Sequence, residues 1–391
     1  MSLPNGWKIA KLESLVNFSS GGTPSKNNPE FWKGSIPWIS ASTMHTQNIY
    51  VSDLMISEEG LNSGSRLAQE GDLLLLVRGS MLWNKVPICI CKRSVAFNQD
   101  VKGISVGSKI LSEYLLYWFL THQQFLLNKV VGTGIGAGKL DSNDLLNLEI
   151  LLPTLPEQKA IADLLSIWDA AIEKTEQLIK AKEKQFQWLL NELITKPSQS
   201  GKWKEVKFGD LYDKEIIIEK GRPLTREEIG DSGTIPVVAG GQSYSCYNNS
   251  ATHTVETITI SSSGAYAGFV WYHSYPIWAS DCSVITSNTI NMRFLYHVLK
   301  SKQLPIYALQ AGGAQPHIYS KDLANIRVAI PRRNDQDQTV FVLDSANKEI
   351  DVMKNVADKY KQQKRGLMQK LLTGMWQVTP EIIKNYEDAT L

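Results

Sequence analysis

Along residues 156–194 one seam of positions recurs at alternating spacings of four and three: Ile161, Leu165, Trp168, Ile172, Thr175, Ile179, Lys182, Phe186, Leu189 and Leu193. Only Thr175 and Lys182 are polar, and the period is that of a coiled-coil heptad held over more than four repeats. Pro156 sets the start of the predicted helix. A second series, Thr339, Leu343, Ala346, Ile350, Met353, Ala357, Tyr360, Lys364, Leu367 and Leu371, keeps the same register at a constant offset of 178 residues. A lone heptad helix leaves its seam in water, so two in one chain most economically bury each other. Each spans about 39 residues, or roughly 58 Å at about 1.5 Å per residue, a rod that holds things apart.

The stretches ahead of these helices have a different pattern. Short apolar runs such as Leu73-Leu74-Leu75-Leu76-Val77 and Val86-Pro87-Ile88-Cys89-Ile90, punctuated by Gly, Ser, Asn and Pro, predict strands. Helical stretches follow at 111–130 and, in the second half, at about 292–310. The two halves are one unit written twice: Gly22-Thr23-Pro24 matches Gly221-Arg222-Pro223, Ile36-Pro37-Trp38 matches Ile235-Pro236-Val237, and Leu152-Pro153 matches Ile330-Pro331. The expected organisation is therefore α+β with an internal pseudo-two-fold repeat. A mixed α/β domain spans 1–153, a long helix and linker 154–197, a second mixed domain 198–331, a second long helix 332–376 and a tail 377–391. The segment Lys196-Pro197-Ser198-Gln199-Ser200-Gly201 has the composition of a flexible join.

Composition narrows the function. The 391 residues are 43% hydrophobic and 20% charged, ordinary for a globular protein. With 41 Lys+Arg against 39 Asp+Glu the formal net charge is +2, so any contact with nucleic acid must be local rather than that of a bulk polycation. Cys89, Cys91, Cys246 and Cys282 show no paired spacing and read as free thiols, with neither a disulfide framework nor a zinc site indicated. The start MSLPNGWKIAKLESL lacks a signal-peptide pattern, and no apolar run reaches about 18 residues, so a cytoplasmic protein without membrane contact is expected.

No catalytic constellation stands out. The run Gly132-Thr133-Gly134-Ile135-Gly136-Ala137-Gly138-Lys139-Leu140 lacks the glycine spacing and final hydroxyl of a P-loop, and reads as a flexible loop carrying backbone N–H groups and Lys139 to a phosphate or base edge. The six histidines have no metal-ligand spacing. What remains is a binding surface. In the first domain its candidates are Thr23, Ser25, Lys26 and Asn27 in a polar turn, Arg78, Trp83 and Lys85 after a buried strand, and Lys139. In the second they are Arg222 and Arg226, Tyr266, Gln315, His317 and Tyr319. Hydroxyl, amide and guanidinium groups of this kind suit phosphate oxygens and base edges, a bidentate Arg–G or Asn–A pair discriminating by about 1–3 kcal/mol. Two similar platforms with divergent centres suit the reading of two different things.

With these residues in view, the chain resembles the specificity subunit of type I restriction-modification systems. The likeness rests on Leu152-Pro153-Thr154-Leu155-Pro156-Glu157-Gln158-Lys159-Ala160-Ile161-Ala162, on Gly312-Gly313-Ala314-Gln315-Pro316-His317-Ile318, on the opening Gly6-Trp7-Lys8, and on the doubled domain-helix plan. Two departures stand out. The second helix entry, Pro331-Arg332-Arg333-Asn334-Asp335-Gln336-Asp337-Gln338, loses the Pro-Glu-Gln form, and the first domain carries Gly-Ala-Gly-Lys-Leu over 136–140 where the second has Gln-Pro-His-Ile. The resemblance implies two target recognition domains, each reading half of a bipartite double-stranded DNA sequence, spaced by an antiparallel coiled coil. It further implies two modification subunits supplying S-adenosylmethionine-dependent adenine methylation and restriction subunits using ATP and magnesium, with no catalysis and no cofactor in this chain. A coiled-coil scaffold whose domains bind proteins is the alternative of another class.

Overall fold

The computed structural model describes residues 3–134, 136–229, 233–313, 315–379 and 381–382; most of the expected tail lies outside them. Two compact units form, Met1–Thr175 with Val356–Leu391, and Glu176–Asn355. The long helices, Leu155–Leu190 and Arg333–Leu372, are divided between them.

In the first unit the apolar run becomes Leu73–Leu76, a strand with all four side chains fully buried, as a strand covered on both faces requires. It lies inside a five-stranded sheet, between Val101–Val106 and Ile88–Cys91, with Val16–Ser20 and Asn48–Ile49 at the edges. A four-stranded sheet holds Ile36–Ile39 parallel to Val95–Phe97. The second unit repeats the plan in reduced form, with Thr257–Ser261 between Cys282–Thr286 and Val270–His273, and Ile235–Val238 parallel to Trp278–Ala279. In each, a two-stranded ribbon leads the chain into its long helix: Lys8–Lys11 with Glu149–Leu152, and Glu205–Lys207 with Arg327–Ala329.

The heptad seam is realised: every seam position of both helices is buried or half-buried, whereas the off-seam Leu164, Ile167, Leu178, Phe341 and Val352 are exposed. Residues 168–169 meet 360–364 in the first unit and 182–183 meet 349–354 in the second, so the helices run antiparallel. The helix entries are fixed by one glutamine each. Gln158 accepts from the Leu111 N–H (2.9 Å) and donates to the Lys109 and Pro153 carbonyls; Gln336 accepts from the Asn291 N–H (2.8 Å) and donates to the Pro331 carbonyl. The second entry has lost Pro and Glu but kept the residue that ties domain to helix.

Two helical expectations are corrected. Residues 111–130 form two helices, Ser112–Thr121 and Gln123–Leu127, and the second domain likewise has Met292–Ser301 and Gln303–Tyr307. The break frees Gln123 to bond both the N–H and the carbonyl of Val86, and Gln303 to bond the Val270 N–H and the Gly268 carbonyl, completing strand edges that would otherwise be unpaired. The expected flexible join begins as helix, with a π-helical turn over Asn191–Thr195 followed by Lys196–Gln199. Pro197 has no N–H for an α ladder, and the wider turn ahead of it takes up the mismatch.

The buried thiols of Cys91 and Cys282 are pushed up to about 12 by burial, and burial likewise holds that of Cys89 well above its ordinary range, so all three stay protonated. No helix among the described residues is long and apolar enough to cross a membrane. His273 is fully buried; its Nε2 lies 2.9 Å from Thr259 Oγ1 and its Nδ1 has no partner, so burial lowers its pKa to about 4 from an ordinary 6.5. Below pH 6.5 the unfolded chain takes up a proton that the folded one refuses until about pH 4, so stability is intact above 6.5 and falls through that window. The loss is on the order of 3 kcal/mol. Urea midpoints of the second unit should drop steeply between these pH values, and His273→Gln should flatten that slope; an equal slope in the variant would remove His273 as its source.

Candidate nucleic-acid interface

The candidate residues of the first domain gather where strand ends and loops meet. Gly138–Lys139 pairs with both Arg78–Gly79 and Val131–Gly132, so the two ends of the glycine-rich run are strand rather than free loop, while Ile135 within it lies outside the described residues. Arg78 and Lys139 are directly opposed across an antiparallel pair, so their side chains share a face at roughly 5 Å backbone separation. Both are exposed. Trp83, half-exposed, closes the turn: its Nε1–H donates to the Gly136 carbonyl at 3.0 Å. Gly136 itself has φ +79°, a left-handed conformation that glycine supplies without steric cost.

A segment missed in the sequence reading holds this edge together. The Asp100 carbonyl accepts from the Val77 and Arg78 N–H groups, at 2.9 and 3.2 Å, and Gln99 Oε1 accepts from Thr23 Oγ1 at 2.7 Å. The polar turn is pressed against the same segment: the Gly22 N–H reaches the Phe97 carbonyl, and a Cβ on Gly21 would lie 2.1 Å from that oxygen, so only glycine fits. Thus residues 97–100 clamp Thr23 and Arg78 to one edge. Ser25, Lys26 and Asn27 lie farther along the turn, exposed, with the Ser25 hydroxyl accepting from the Asn27 N–H. Nothing ties them or the exposed Lys85 to the Arg78–Lys139 pair.

The second domain rebuilds the edge with other side chains. His317 bridges Ser263 on one side and Ala311 on the other, standing where Lys139 stands between Arg78 and Val131. The clamp recurs: the Asp281 carbonyl accepts from the Ser262 N–H, its carboxylate takes the Ser263 hydroxyl, and Gly221, like Gly21, is pressed on a carbonyl, that of Ser280. The Gly264 N–H donates to the Pro316 carbonyl, which brings the turn carrying exposed Tyr266 beside Gln315 and His317. The His317 and Tyr319 rings stack at 6.3 Å, and Lys321, also missed in the sequence reading, sits 5.4 Å over the Tyr319 face. Arg222 is already engaged, ion-paired with Glu228 and lying 5.0 Å over the Trp278 ring. The Arg226 side chain lies outside the described residues. Tyr272, at the neighbouring strand end, is turned away to Glu256 and Arg293. The recurrence of Asp100 and Asp281 behind buried strands was the available signal for the clamp.

Each edge is therefore a polar, exposed ribbon on a rigid sheet: cationic in the first domain, and hydroxyl, imidazole and phenol in the second. It can donate to phosphate oxygens and base edges, and among the described residues no cluster could hold a metal ion.

Comparison with known proteins agrees with the doubled plan. The fold resembles the crystal structure of the type I restriction-modification S subunit from M. genitalium, with a TM-score of 0.65 at 18% identity over 95% of this chain and 98% of that one. A specificity subunit of a type I restriction enzyme from Escherichia coli is 32% identical over 197 residues, a segment spanning 49% of this chain and only about half, 48%, of that relative. Another, from Methanocaldococcus jannaschii, is 23% identical over 96% of this chain and 94% of its own length. The model of the type I restriction modification DNA specificity domain matches twice, at residues 4–183 and 200–362, one match to each repeat. The chain belongs to the type I restriction-modification DNA specificity family.

Proposed function

We propose that this chain is the non-catalytic reader of a type I restriction-modification complex. Each domain reads one half of a bipartite double-stranded DNA target, and partner subunits act on what is read. The observation that carries the reading is the pair Arg78 and Lys139. Two cations directly opposed across strands repel by roughly 0.2–1 kcal/mol, a cost that Asp141, 3.6 Å from the Lys139 ammonium, offsets in part and that a phosphate or the acceptor edge of a guanine would relieve further. The divergent edge at Ser263, His317 and Tyr319 supports a second, different half-site. Two modification subunits bring S-adenosylmethionine and methylate adenine; restriction subunits add ATP and magnesium for cleavage; the work is cytoplasmic. Exposed apolar side chains off the seam, Ile167 in the first unit and Phe341 and Val352 in the second, are the surfaces offered to partner helices. The small net charge suits a subunit whose partners share the grip on phosphate.

The test is to map methylated adenines across the source genome with the gene intact and deleted. Loss of a single bipartite motif is expected. An unchanged map, with the gene and its neighbours expressed, would overturn the reading.

A further inference from the structure

The repeat relates each residue of the first long helix to the one 178 positions later in the second. The relation exposes a difference in the seams. In the first unit Lys364 is buried, ion-paired with Asp169 and 5.1 Å over the Tyr117 ring, while the Tyr117 hydroxyl donates to the other Asp169 oxygen at 2.7 Å. In the second unit the same three places hold Phe186, Asn347 and His297, with Phe186 facing His297 edge-on at 6.3 Å. The flank is coded too. Glu183 pairs with Lys354 at 2.7 Å, and the repeat mates of those two are Lys361 and Glu176, so the first helix carries Glu at both positions and the second carries Lys at both.

Consider either helix paired with a copy of itself in the same antiparallel register. In the first helix, Asp169 would face Phe186 and Glu183 would face Glu176. In the second, Lys364 would face Asn347 and Lys354 would face Lys361. Like-with-like pairing thus leaves one charge of each buried ion pair without its counter-charge and sets like charges against each other, and the former is the costlier. We propose that the seams are a self-excluding code: each long helix accepts the other long helix of this sequence and rejects a second copy of itself. A single chain closes on itself, and between chains only reciprocal exchange of opposite helices is permitted.

The code can be erased while the two helices of one chain keep complementary seams. In the full chain, Asp169→Asn with Lys364→Phe makes the first site match the second, and Glu183→Lys with Lys354→Glu keeps that native pair while turning both like-with-like contacts attractive. A Thr175→Cys reporter in a Cys246→Ser background, linked by a short bismaleimide after refolding, reads like-with-like dimers, because residue 175 then comes within a turn or two of its copy. The recoded chain should yield about tenfold more crosslinked dimer than the chain with native helices at equal concentration. Equal yields, whether both low or both high, would overturn the proposal. If the recoded chain fails to recover its helical circular dichroism, the exposed pair alone, Glu183→Lys with Lys354→Glu, should still raise the yield about threefold, and no rise there would be equally decisive.

Discussion

Replacing Arg78 and Lys139 together by alanine is expected to weaken target binding by the assembled complex at least about 100-fold and to blur one half-site while leaving the other intact. The magnitude follows from the roles their positions allow. A guanidinium on a base edge contributes about 1–3 kcal/mol of discrimination, and an ammonium on phosphate contributes chiefly through ion release. Lys139→Ala alone should therefore weaken all sequences alike and reduce the dependence of log affinity on log salt by about one; Arg78→Ala should relax sequence preference instead. The edge sits on strands clamped by the Asp100 carbonyl, so truncating two exposed side chains leaves the sheet standing. Binding isotherms at two salt concentrations, with the methylated motif mapped for each variant, separate the effects. The mirror experiment, His317→Ala, should blur only the other half-site. Unaltered preference in both halves would remove this ribbon as the reader.

The second large effect is on stability, and it is asymmetric. Asp169→Asn leaves the Lys364 ammonium buried with only a phenyl face and an amide, a loss of about 3–5 kcal/mol. Lys364→Met strands a carboxylate that is a third exposed and still bonded to the Tyr117 hydroxyl, a smaller loss of about 1–2 kcal/mol. The pair Asp169→Asn with Lys364→Met should recover most of the stability, since a buried ion pair and an apolar substitute of similar volume are often nearly equivalent. Urea unfolding midpoints of the four proteins give the cycle directly. Losses that merely add would show that the two side chains do not act as a pair.

Much of this architecture was legible because heptad spacing has only one economical solution. The seam read from Ile161 to Leu193 is the seam that is buried or half-buried, its polar members Thr175 and Lys182 included. The helix breaks at His122 and Lys302 were hidden because they obey tertiary demand: local propensity continues through both, and only the strand edges waiting for Gln123 and Gln303 favour stopping. The site was legible in part. Arg78 and Lys139, distant in sequence, were each singled out by residue type and are neighbours by strand pairing; Lys26, Asn27 and Lys85 share that chemistry but nothing in the fold joins them to the pair. The segments 97–100 and 279–282 escaped notice because they act mainly through backbone carbonyls, with only the Gln99 amide and the Asp281 carboxylate adding side-chain bonds.

That last property bears on how such a protein changes its target. The clamp that presents Arg78 is the carbonyl of residue 100, and the one that fixes Ser262 is the carbonyl of residue 281, atoms that every amino acid possesses, with the Asp281 carboxylate adding a bond to the Ser263 hydroxyl. The presented side chains at 78, 139 and 317 can therefore be exchanged one at a time without unmaking the support beneath them. Under the proposed reading role, a lineage carrying this chain would acquire a new address by a few substitutions in either half, each half being held by its own clamp.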